Sequence, residues 1–346
     1  MTWINEDDIP HTVASSTETF KSKALDTDDK FPFSATSELF GKSLAFPPSS
    51  AFIGKSRTTG ATRAGMVDSM ENGICYVNGS FVPASEARVS IFDRGFTSGE
   101  GVYDVTRSFG HKLFKLDEHI ARLFRSLKYT RIDCGLPPTE MTRLSIDIFE
   151  RNKHLLAPDD DCALWQVISR GADRFAKGRP VAATVTIFCV PIAYHTFARE
   201  YVEGCIVVTP STRRTPPQSL EAKAKITNKV NHTIAAFEAK LVNPRATPLM
   251  LDLDGNISET HLGNFFFVAG GKLHTSTSRT VLGGITRSTL FSMAGEMSIP
   301  VVEGNFTPYD VYCADEAFTA STSPSIVPVK SLNGSAIGKT VPGPSR

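Results

Sequence analysis

Cysteine is scarce in this sequence, and no two cysteines stand at metal-ligand spacing. The chain has 6 cysteines in 346 residues, and no Cys-x-x-Cys pair occurs. The spacing excludes zinc ribbons and fingers, and the low density excludes a small disulfide scaffold. We therefore expect reduced thiols, no metal ion and a cytoplasmic protein. The acidic start at residues 1–8 agrees with this, because it lacks the pattern of a secretory signal.

Long apolar runs and an excess of one charge are missing as well. The longest apolar stretches, such as Ala182–Ala193, are too short to cross a bilayer. Lys and Arg number 37 against 36 Asp and Glu, so the charge balance gives no attraction for nucleic acid or an anionic membrane. With 41% hydrophobic and 21% charged residues the composition is that of a globular protein. We expect small-molecule partners, and neither nucleic acid nor membrane.

The first 72 residues differ in composition from the rest of the chain. They are rich in Ser, Thr, Phe and Pro and show little periodicity. We interpret residues 1–72 as an N-terminal extension that is flexible or draped over the body. Beyond it we predict an α+β protein of two subdomains, a small N-terminal one over 73–194 and a larger C-terminal one over 195–346.

Periodicity places the main elements within these subdomains. Alternation predicts a strand at 101–109, and Asn78-Gly79 predicts a hairpin turn. A period near 3.6 residues predicts helices over 114–134, 139–153 and 228–241. In the last of these, four large apolar residues share one face: Val230, Ile234, Phe237 and Leu241.

Four features of the C-terminal half carry side chains with useful chemistry. Lys225 lies in a basic segment before a predicted helix, and Glu259 precedes Asn264 by five residues in a turn. Gly283-Gly284 opens another helix, and hydroxyl groups cluster at 319–323. A lysine of lowered pKa is a nucleophile, a buried acid holds a pyridine nitrogen protonated, and a glycine-rich helix start binds phosphate. Taken singly, each feature is also typical of a surface loop or a solvated basic patch.

Two N-terminal segments complete an ordered set of motifs. Gly99–Val105 resembles the "GDGVYEV" strand of the fold-type IV pyridoxal-phosphate (PLP) enzymes, and His119–Leu123 resembles their "H-x-x-R-L" helix. Glu259–Asn264 and Leu282–Arg287 are similar to the acid turn and the phosphate cup of that family. The chain is thus identified as a member of the group that holds branched-chain aminotransferases, D-amino acid aminotransferases, (R)-selective amine transaminases and aminodeoxychorismate lyase.

The resemblance implies a fold and a reaction. It implies a smaller N-terminal α/β subdomain and a larger C-terminal subdomain with a β-barrel-like core. It also implies a homodimer with the active site at the subunit interface. The reaction is a PLP-dependent transamination, in which an amino acid or primary amine gives its amino group to a 2-oxo acid or ketone through a ping-pong cycle.

The resemblance also assigns roles to residues. It selects Lys225 over Lys223 and Lys229, because the family lysine precedes a helix that contains Phe-Glu-Ala, here residues 237–239. Lys225 would carry PLP covalently and later move a proton, and Glu259 would pair with the pyridinium nitrogen. The remaining implied cofactor contacts are Arg122, Asn264, Gly284, Ile285, Thr286, Ser321 and Thr322.

The residues that would contact the substrate are less sharply marked. The candidates are Tyr103 and Arg107 on the predicted strand, Arg174 in a basic loop, and Ser323 in the last hydroxyl-rich loop. An arginine is favoured here because its guanidinium binds a carboxylate through two hydrogen bonds, although most arginines are solvated surface charges. His261 stands where the family has a small residue, and we interpret it as a packing residue or as part of the cofactor pocket. Two alternatives remain open, a PLP-dependent lyase and a non-catalytic homologue.

Overall fold

The computed structural model describes residues 72–172 and 182–341, which contain two β-sheets. The first sheet has the strand order β2-β1-β6-β5-β3-β4. Its strands are β1 (Ile74–Val77), β2 (Ser80–Pro83), β3 (Gly101–Phe109), β4 (Lys112–Leu113), β5 (Cys162–Ser169) and β6 (Thr184–Pro191). All neighbouring strands run antiparallel. The Asn78-Gly79 turn between β1 and β2 has positive φ at both residues, as a type I′ turn requires.

Helices cover one face of this sheet. They are α2 (Leu116–Thr130) and α3 (Pro138–Asn152), and a short helix α1 (Arg94–Ser98) precedes β3. Apolar residues from α2 and α3 pack against alternate residues of the strands, for example Leu123 and Ile148 against Ile168, and all three are fully buried. Each such side chain contributes about 1.5–3 kcal/mol on burial. The opposite face of the sheet is left for the functional site.

The second sheet closes into a barrel. Its strands are β7 (Cys205–Val208), β8 (Ala246–Leu251), β9 (Ile257–Thr260), β10 (Asn264–Ala269), β11 (Lys272–Ser276), β12 (Val301–Gly304), β13 (Glu316–Ser321), β14 (Ser325–Leu332) and β15 (Ser335–Ala336). The ring β10-β13-β14-β7-β8-β9 is closed by the pairing of β9 with β10. A closed ring has no free edge strand along its circumference, which stabilises the sheet.

Four helices accompany the barrel. They are α4 (Ala198–Glu203), α5 (Val230–Val242), α6 (Ile285–Glu296) and α7 (Pro308–Tyr312). The interior of the barrel holds buried Val207, Leu249 and Phe265, whereas Phe266 faces outward and packs near Leu290 of α6. This alternation along β10 places α6 against the outer wall of the barrel.

The segment before α5 joins the two sheets. The Thr227 amide donates to Gly101 O (2.9 Å), and the Tyr103 amide donates to Lys225 O (3.0 Å). Val102 and Ile226 form an isolated antiparallel bridge between these two hydrogen bonds. The segment is thus paired with β3 of the first sheet, although it leads into the barrel half of the chain.

The structure confirms the expected α+β fold with a barrel-like core, and it shows which side of α5 is exposed, which the sequence did not predict. The four large residues of that face are exposed, Leu241 to 88% and Phe237 to 64%, and the helix buries Ala235 and Ala239 instead. The period predicted a helix but not which side faces the core.

Strands β9 and β11 were not predicted from the sequence. Within the described residues, no helix is long and apolar enough to cross a membrane. The division of the chain between residues 194 and 195 stays a prediction.

Candidate active site

Lys225 lies between the two sheets, held by its backbone. Its amide donates to Ser126 Oγ of α2 (3.0 Å), and its carbonyl accepts from Tyr103 (3.0 Å). The Lys225 Nζ lies 4.5 Å from the centroid of the Tyr103 ring. The Lys225 side chain therefore starts from a backbone held by two hydrogen bonds and ends beside the Tyr103 ring.

The electrostatic surroundings favour a neutral amine at Lys225. Burial, followed by the nearby positive charge of Arg122, lowers the pKa of Lys225 to about 7, although Asp104 acts in the opposite direction. At neutral pH a large fraction of the Nζ groups is thus unprotonated. An unprotonated amine is both a nucleophile towards a carbonyl carbon and a proton acceptor.

Arg122 is paired with a buried carboxylate. Its Nε and Nη2 donate to the two oxygens of Asp104 (2.8 and 2.7 Å), and His119 Nδ1 lies 2.8 Å from Asp104 Oδ1. Burial alone would raise the pKa of Asp104, but the charge and hydrogen bonds of Arg122, with those of His119, hold it well below its usual value. The charged pair fixes the plane of the guanidinium, and its Nη1 reaches Gly283 O (3.1 Å) at the start of α6.

The start of α6 has the features of an anion site. Gly284 is the residue before the helix and has no side chain to cap it, so the first amides of the helix, at Ile285 and Thr286, have no intrahelical acceptor. The helix dipole favours negative charge there. Thr286 Oγ1 donates to Ser321 O (3.1 Å), which brings the hydroxyl-rich turn of 321–325 to the same place.

Glu259 is buried among cationic groups. Its Oε1 accepts from Arg214 Nε (3.0 Å) and lies 3.6 Å from His232 Nε2. Burial would raise the pKa of Glu259, but His232, Arg214 and Lys229 together lower it to about 2. The carboxylate is thus ionised throughout the physiological range, and it is a fixed negative charge for a cationic nitrogen.

Asn264 joins the Glu259 region to the start of α6. Glu259 and Asn264 face each other across the β9–β10 pairing. The Leu282 amide donates to Glu259 Oε2 (2.9 Å), and Asn264 Nδ2 donates to Leu282 O (2.9 Å). A Cβ at Gly284 would collide with Asn264 Oδ1, so a side chain there would displace the Asn264 amide. Both polar groups of the Leu282 backbone are therefore held by the acid turn.

His261 sits at the tip of the same turn, largely buried. Burial, with the nearby His232 and Lys240, lowers the pKa of His261 to about 4, and its Nδ1 has no hydrogen-bond partner among the described residues. The ring is thus neutral at physiological pH. A neutral, largely buried ring agrees with the interpretation of His261 as a packing residue near the site.

The predicted substrate residues have different surroundings. Tyr103 stacks on Trp165 (5.5 Å between centroids), which stacks in turn on Phe188. Burial, helped by Asp104, raises the pKa of Tyr103 to about 12. Arg107 donates to Ser323 O (2.8 Å) and to other protein groups. Arg174 lies outside the described residues.

The sequence did not mark three of the residues that build this site. Arg214 stands 45 positions before its partner Glu259, and no local pattern in the loop that carries it singles it out. Ser126, on the helix of the "H-x-x-R-L" motif, holds the backbone of Lys225. Trp165 belongs to a nearly continuous apolar strand, and only the register of β5 against β3 shows that it faces the site.

The residues fit an anionic, aromatic cofactor that needs an amine. The buried Lys225 amine lies beside the Tyr103 ring. The Arg122 guanidinium and the first amides of α6 are suited to a phosphate. The ionised Glu259 carboxylate is suited to a pyridinium nitrogen. In the described part of the chain, no group of three His, Cys, Asp or Glu side chains could hold a metal ion.

Comparison with known proteins was made on both sequence and structure. The model of the amino-transferase class IV family matches residues 101–332. A Methanocaldococcus jannaschii protein, provisionally named a branched-chain-amino-acid aminotransferase, is 33% identical over 263 residues, which cover 76% of this chain and 88% of that protein. A Bacillus licheniformis D-alanine aminotransferase is 29% identical over 270 residues, which cover 77% and 91%.

Solved structures with the same fold belong to the same group. The branched-chain aminotransferase of Thermoproteus uzoniensis, solved with norvaline, has a TM-score of 0.69 and 27% identity over 78% of this chain and 90% of its own. A second branched-chain amino acid aminotransferase, from the organism abbreviated T.th., was solved with pyridoxamine 5'-phosphate. It has a TM-score of 0.69 and 26% identity over 78% of this chain and 89% of its own.

Proposed function

Because the chain belongs to the class IV aminotransferase family and is an aminotransferase, we propose that it binds PLP through Lys225 and transfers amino groups within a homodimer. The observation that carries the proposal is the place of Lys225, whose amine of lowered pKa lies near both the Arg122 guanidinium and the Glu259 carboxylate. Class IV aminotransferases are PLP enzymes, and one branched-chain relative was solved with pyridoxamine 5'-phosphate.

The phosphate end of the pocket would be formed by α6 and α2. The amides of Ile285 and Thr286, the guanidinium of Arg122 and the hydroxyl of Thr322 would donate hydrogen bonds to the phosphate, with Gly284 and Ser321 giving it room. Arg122 is suited to this because Asp104 fixes its orientation without using Nη1. The charge-assisted bonds would anchor the cofactor during turnover.

The acid end would be formed by Glu259, which Asn264 helps to fix through the Leu282 backbone. When bound, PLP withdraws electrons from the substrate carbon that carries the amino group, which makes its proton removable. Glu259 would keep the pyridine nitrogen protonated, since the pKa of the carboxyl group is only about 2. Lys225 Nζ would accept the proton of the substrate carbon that carries the amino group and would deliver it to the C4′ carbon of the cofactor.

The substrate wall is aromatic and apolar. Tyr103 and Trp165 stack beside Lys225, and Val105 and Ala163 are buried next to them. Such a wall favours a donor with an apolar substituent, which agrees with relatives named for branched-chain amino acids and D-alanine. We propose an amino acid of apolar side chain as the donor and a 2-oxo acid as the acceptor.

A homodimer would cover the apolar surfaces next to the site. The exposed face of α5 carries Phe237 and Leu241, and a second patch carries Ile91 (69% exposed) and Phe96 (77%). Patches of this kind mark protein interfaces more often than free surface. Leu241→Glu would then shift the assembly towards monomer in light scattering, and an exposed polar control, Lys223→Glu, would not.

The test of the function is a single-turnover experiment with purified protein loaded with PLP. Mixing with L-leucine, L-valine, D-alanine or (R)-1-phenylethylamine should convert the cofactor to pyridoxamine phosphate and release the oxo product. Pyruvate or 2-oxoglutarate should then restore the starting spectrum. A lyase would return to the starting spectrum without an acceptor, and a protein that binds no PLP would contradict the proposal. The named relatives are aminotransferases, which favours transamination over the lyase.

A further inference from the structure

Arg107, predicted as a direct anchor for the substrate carboxylate, has no donor left for that task. Its Nε donates to Ser108 O (3.0 Å), and its Nη2 donates to Tyr194 OH (2.6 Å) and lies 3.4 Å from Asp161 Oδ2. Its Nη1 donates to Ser323 O and Ser325 Oγ, both at 2.8 Å. A guanidinium has five N–H donors, and this arrangement uses all of them.

The Nη1 bonds join two distant parts of the fold. Arg107 lies on β3 of the first sheet, and Ser323 lies in the turn between β13 and β14 of the barrel, 216 positions later. A second side chain holds the same turn, because Tyr201 OH donates to Pro324 O (2.5 Å). Three consecutive residues of the turn are thus fixed by side chains from outside the hairpin.

The turn needs such support because its backbone conformation is unfavourable. Ser325 has φ of 59°, in the left-handed region, which costs a residue with a Cβ about 1–2 kcal/mol. Pro324 has no N–H and adds no hydrogen bond to the hairpin. The pairing of β13 with β14 ends at Ser321 and Ser325, so Thr322–Pro324 are not held by the sheet.

We propose that Arg107 is a positioning residue that, together with Tyr201, holds the Thr322–Ser323 backbone in the place where it meets the substrate carboxylate. This inference rests on the proposed function, which puts Thr322 beside the phosphate, and on the sequence-based prediction that Ser323 contacts the substrate. In the described residues, outside strand pairing, neither amide of Thr322 or Ser323 has a hydrogen-bond acceptor. The other end of the turn has its own support from Thr286, which donates to Ser321 O.

The test compares two variants that loosen the turn from different sides. Arg107→Gln removes the Nη1 bonds, and Tyr201→Phe removes only the hydroxyl that bonds Pro324. In both, the KM for 2-oxo acids should rise, about tenfold and about threefold, with kcat changed less. The Kd of 4-methylvaleric acid, an unreactive carboxylate probe, should rise in parallel in the PLP-loaded protein. Arg143→Gln, which alters an exposed ion pair with Glu140, is the matched control.

The double variant separates positioning from direct contact. Because both residues act on one turn, the effects of Arg107→Gln and Tyr201→Phe on the probe Kd should be less than additive. The affinity for pyridoxamine 5'-phosphate should change less than about threefold, since the Ser321 end is held separately. A Kd effect confined to Arg107, with Tyr201→Phe like the control, would show direct carboxylate binding and overturn the proposal. No effect in either variant would overturn it as well.

Failure of a variant to fold and failure of the proposed function are distinguishable outcomes. Should Arg107→Gln fail to fold, Ser325→Ala removes one of the same hydrogen bonds and takes its place beside Tyr201→Phe. Should the wild-type protein show no amino transfer with any donor, the proposed function fails. The probe binding still reports on the turn in that case, because it requires no turnover.

Discussion

The two sheets meet at one site but supply it by different means. The barrel contributes through its ends and turns, where backbone groups such as the α6 amides and the Leu282 backbone lie beside the Glu259 side chain. The first sheet contributes through the face of its strands, so its partners are side chains such as Tyr103 and Trp165. A backbone donor survives most substitutions, whereas a wall of side chains changes with each one.

On the proposed function, the barrel half of the chain supplies the chemistry and the first-sheet side shapes the choice of substrate. The barrel half of the chain holds Lys225 and Glu259, whose charges are set by burial and by neighbouring charges. The first-sheet side holds the rings of Tyr103 and Trp165 and the Arg107 guanidinium, whose donors are all bound to protein groups. Arg122 is the exception, because it belongs to α2 beside the first sheet and reaches Gly283 at the start of α6.

Loss of the Lys225 amine should have the largest effect. Lys225→Ala should lower kcat about a thousandfold or more, because the nucleophile and the proton carrier are removed together. The absorbance band of covalently attached PLP should disappear while phosphate-dependent binding of pyridoxamine phosphate remains. In the wild type, the rate at which apoprotein takes up PLP should rise as the pH passes about 7, the pKa of Lys225. A variant that retains wild-type turnover would contradict the assignment.

Loss of Arg122 tests the contact between the first-sheet side and the start of α6. Arg122→Gln leaves the Asp104 carboxylate buried without its main partner, and the free energy of unfolding should fall by about 3–5 kcal/mol. Binding of pyridoxamine phosphate should weaken as well. The double variant Arg122→Gln with Asp104→Asn should regain much of the stability but not the affinity. Thermal unfolding and a binding titration measure the two effects, and joint recovery of both would show that Arg122 has no contact with the phosphate.

Glu259 gives the prediction on pH. The pKa of its carboxyl group is lower in the folded protein, about 2 against an ordinary 4.5, so the folded state favours the ionised form. Its contribution, about 3 kcal/mol, is complete above about pH 5 and is lost as the pH falls towards 2. Glu259→Gln should therefore flatten the dependence of unfolding free energy on pH below 5. Denaturant titrations between pH 3 and 7 compare the variants, and parallel curves would contradict the prediction.

The sheet side should give the smallest change. Tyr103→Phe keeps the ring beside Lys225 and the stack on Trp165 and removes only the hydroxyl. The pKa of Tyr103 is about 12, so the hydroxyl stays neutral and the pH profile of kcat should not shift below pH 9. Activity should fall by less than about tenfold. A larger loss would make Tyr103 part of the chemistry and remove the contrast between the two sides.

The sequence predicted those parts of the fold that local pattern determines. The hairpin at Asn78-Gly79 and the strand Gly101–Phe109 lie where alternation and turn residues put them. The exposed face of α5 was not predictable in the same way, because periodicity shows that Phe237 and Leu241 share a side but not what that side meets. The closing of the barrel depends on the pairing of β9 with β10, and β9 is too short to show a period.

The candidate site also divides into a part that the sequence predicts and a part that only tertiary contacts determine. Motif order placed Lys225, Arg122 and Glu259 near one another in the prediction, and the structure brings their surroundings together. The contacts of the site arginines were not predicted, because Arg214 binds Glu259 and Arg107 binds Ser323 across long separations in sequence. Which donors an arginine has free is decided by tertiary contacts alone.

The two hydrogen bonds on the Leu282 backbone have a consequence for cofactor selection. Because Glu259 binds its amide and Asn264 binds its carbonyl, the carboxylate and the α6 amides keep a constant separation. A pocket of constant length discriminates between ligands by their dimensions. Pyridoxal without its phosphate, or a homologue with a longer side arm, would bind either the Glu259 carboxylate or the α6 amides but not both. The affinities of the vitamin B6 compounds should therefore depend on their molecular length.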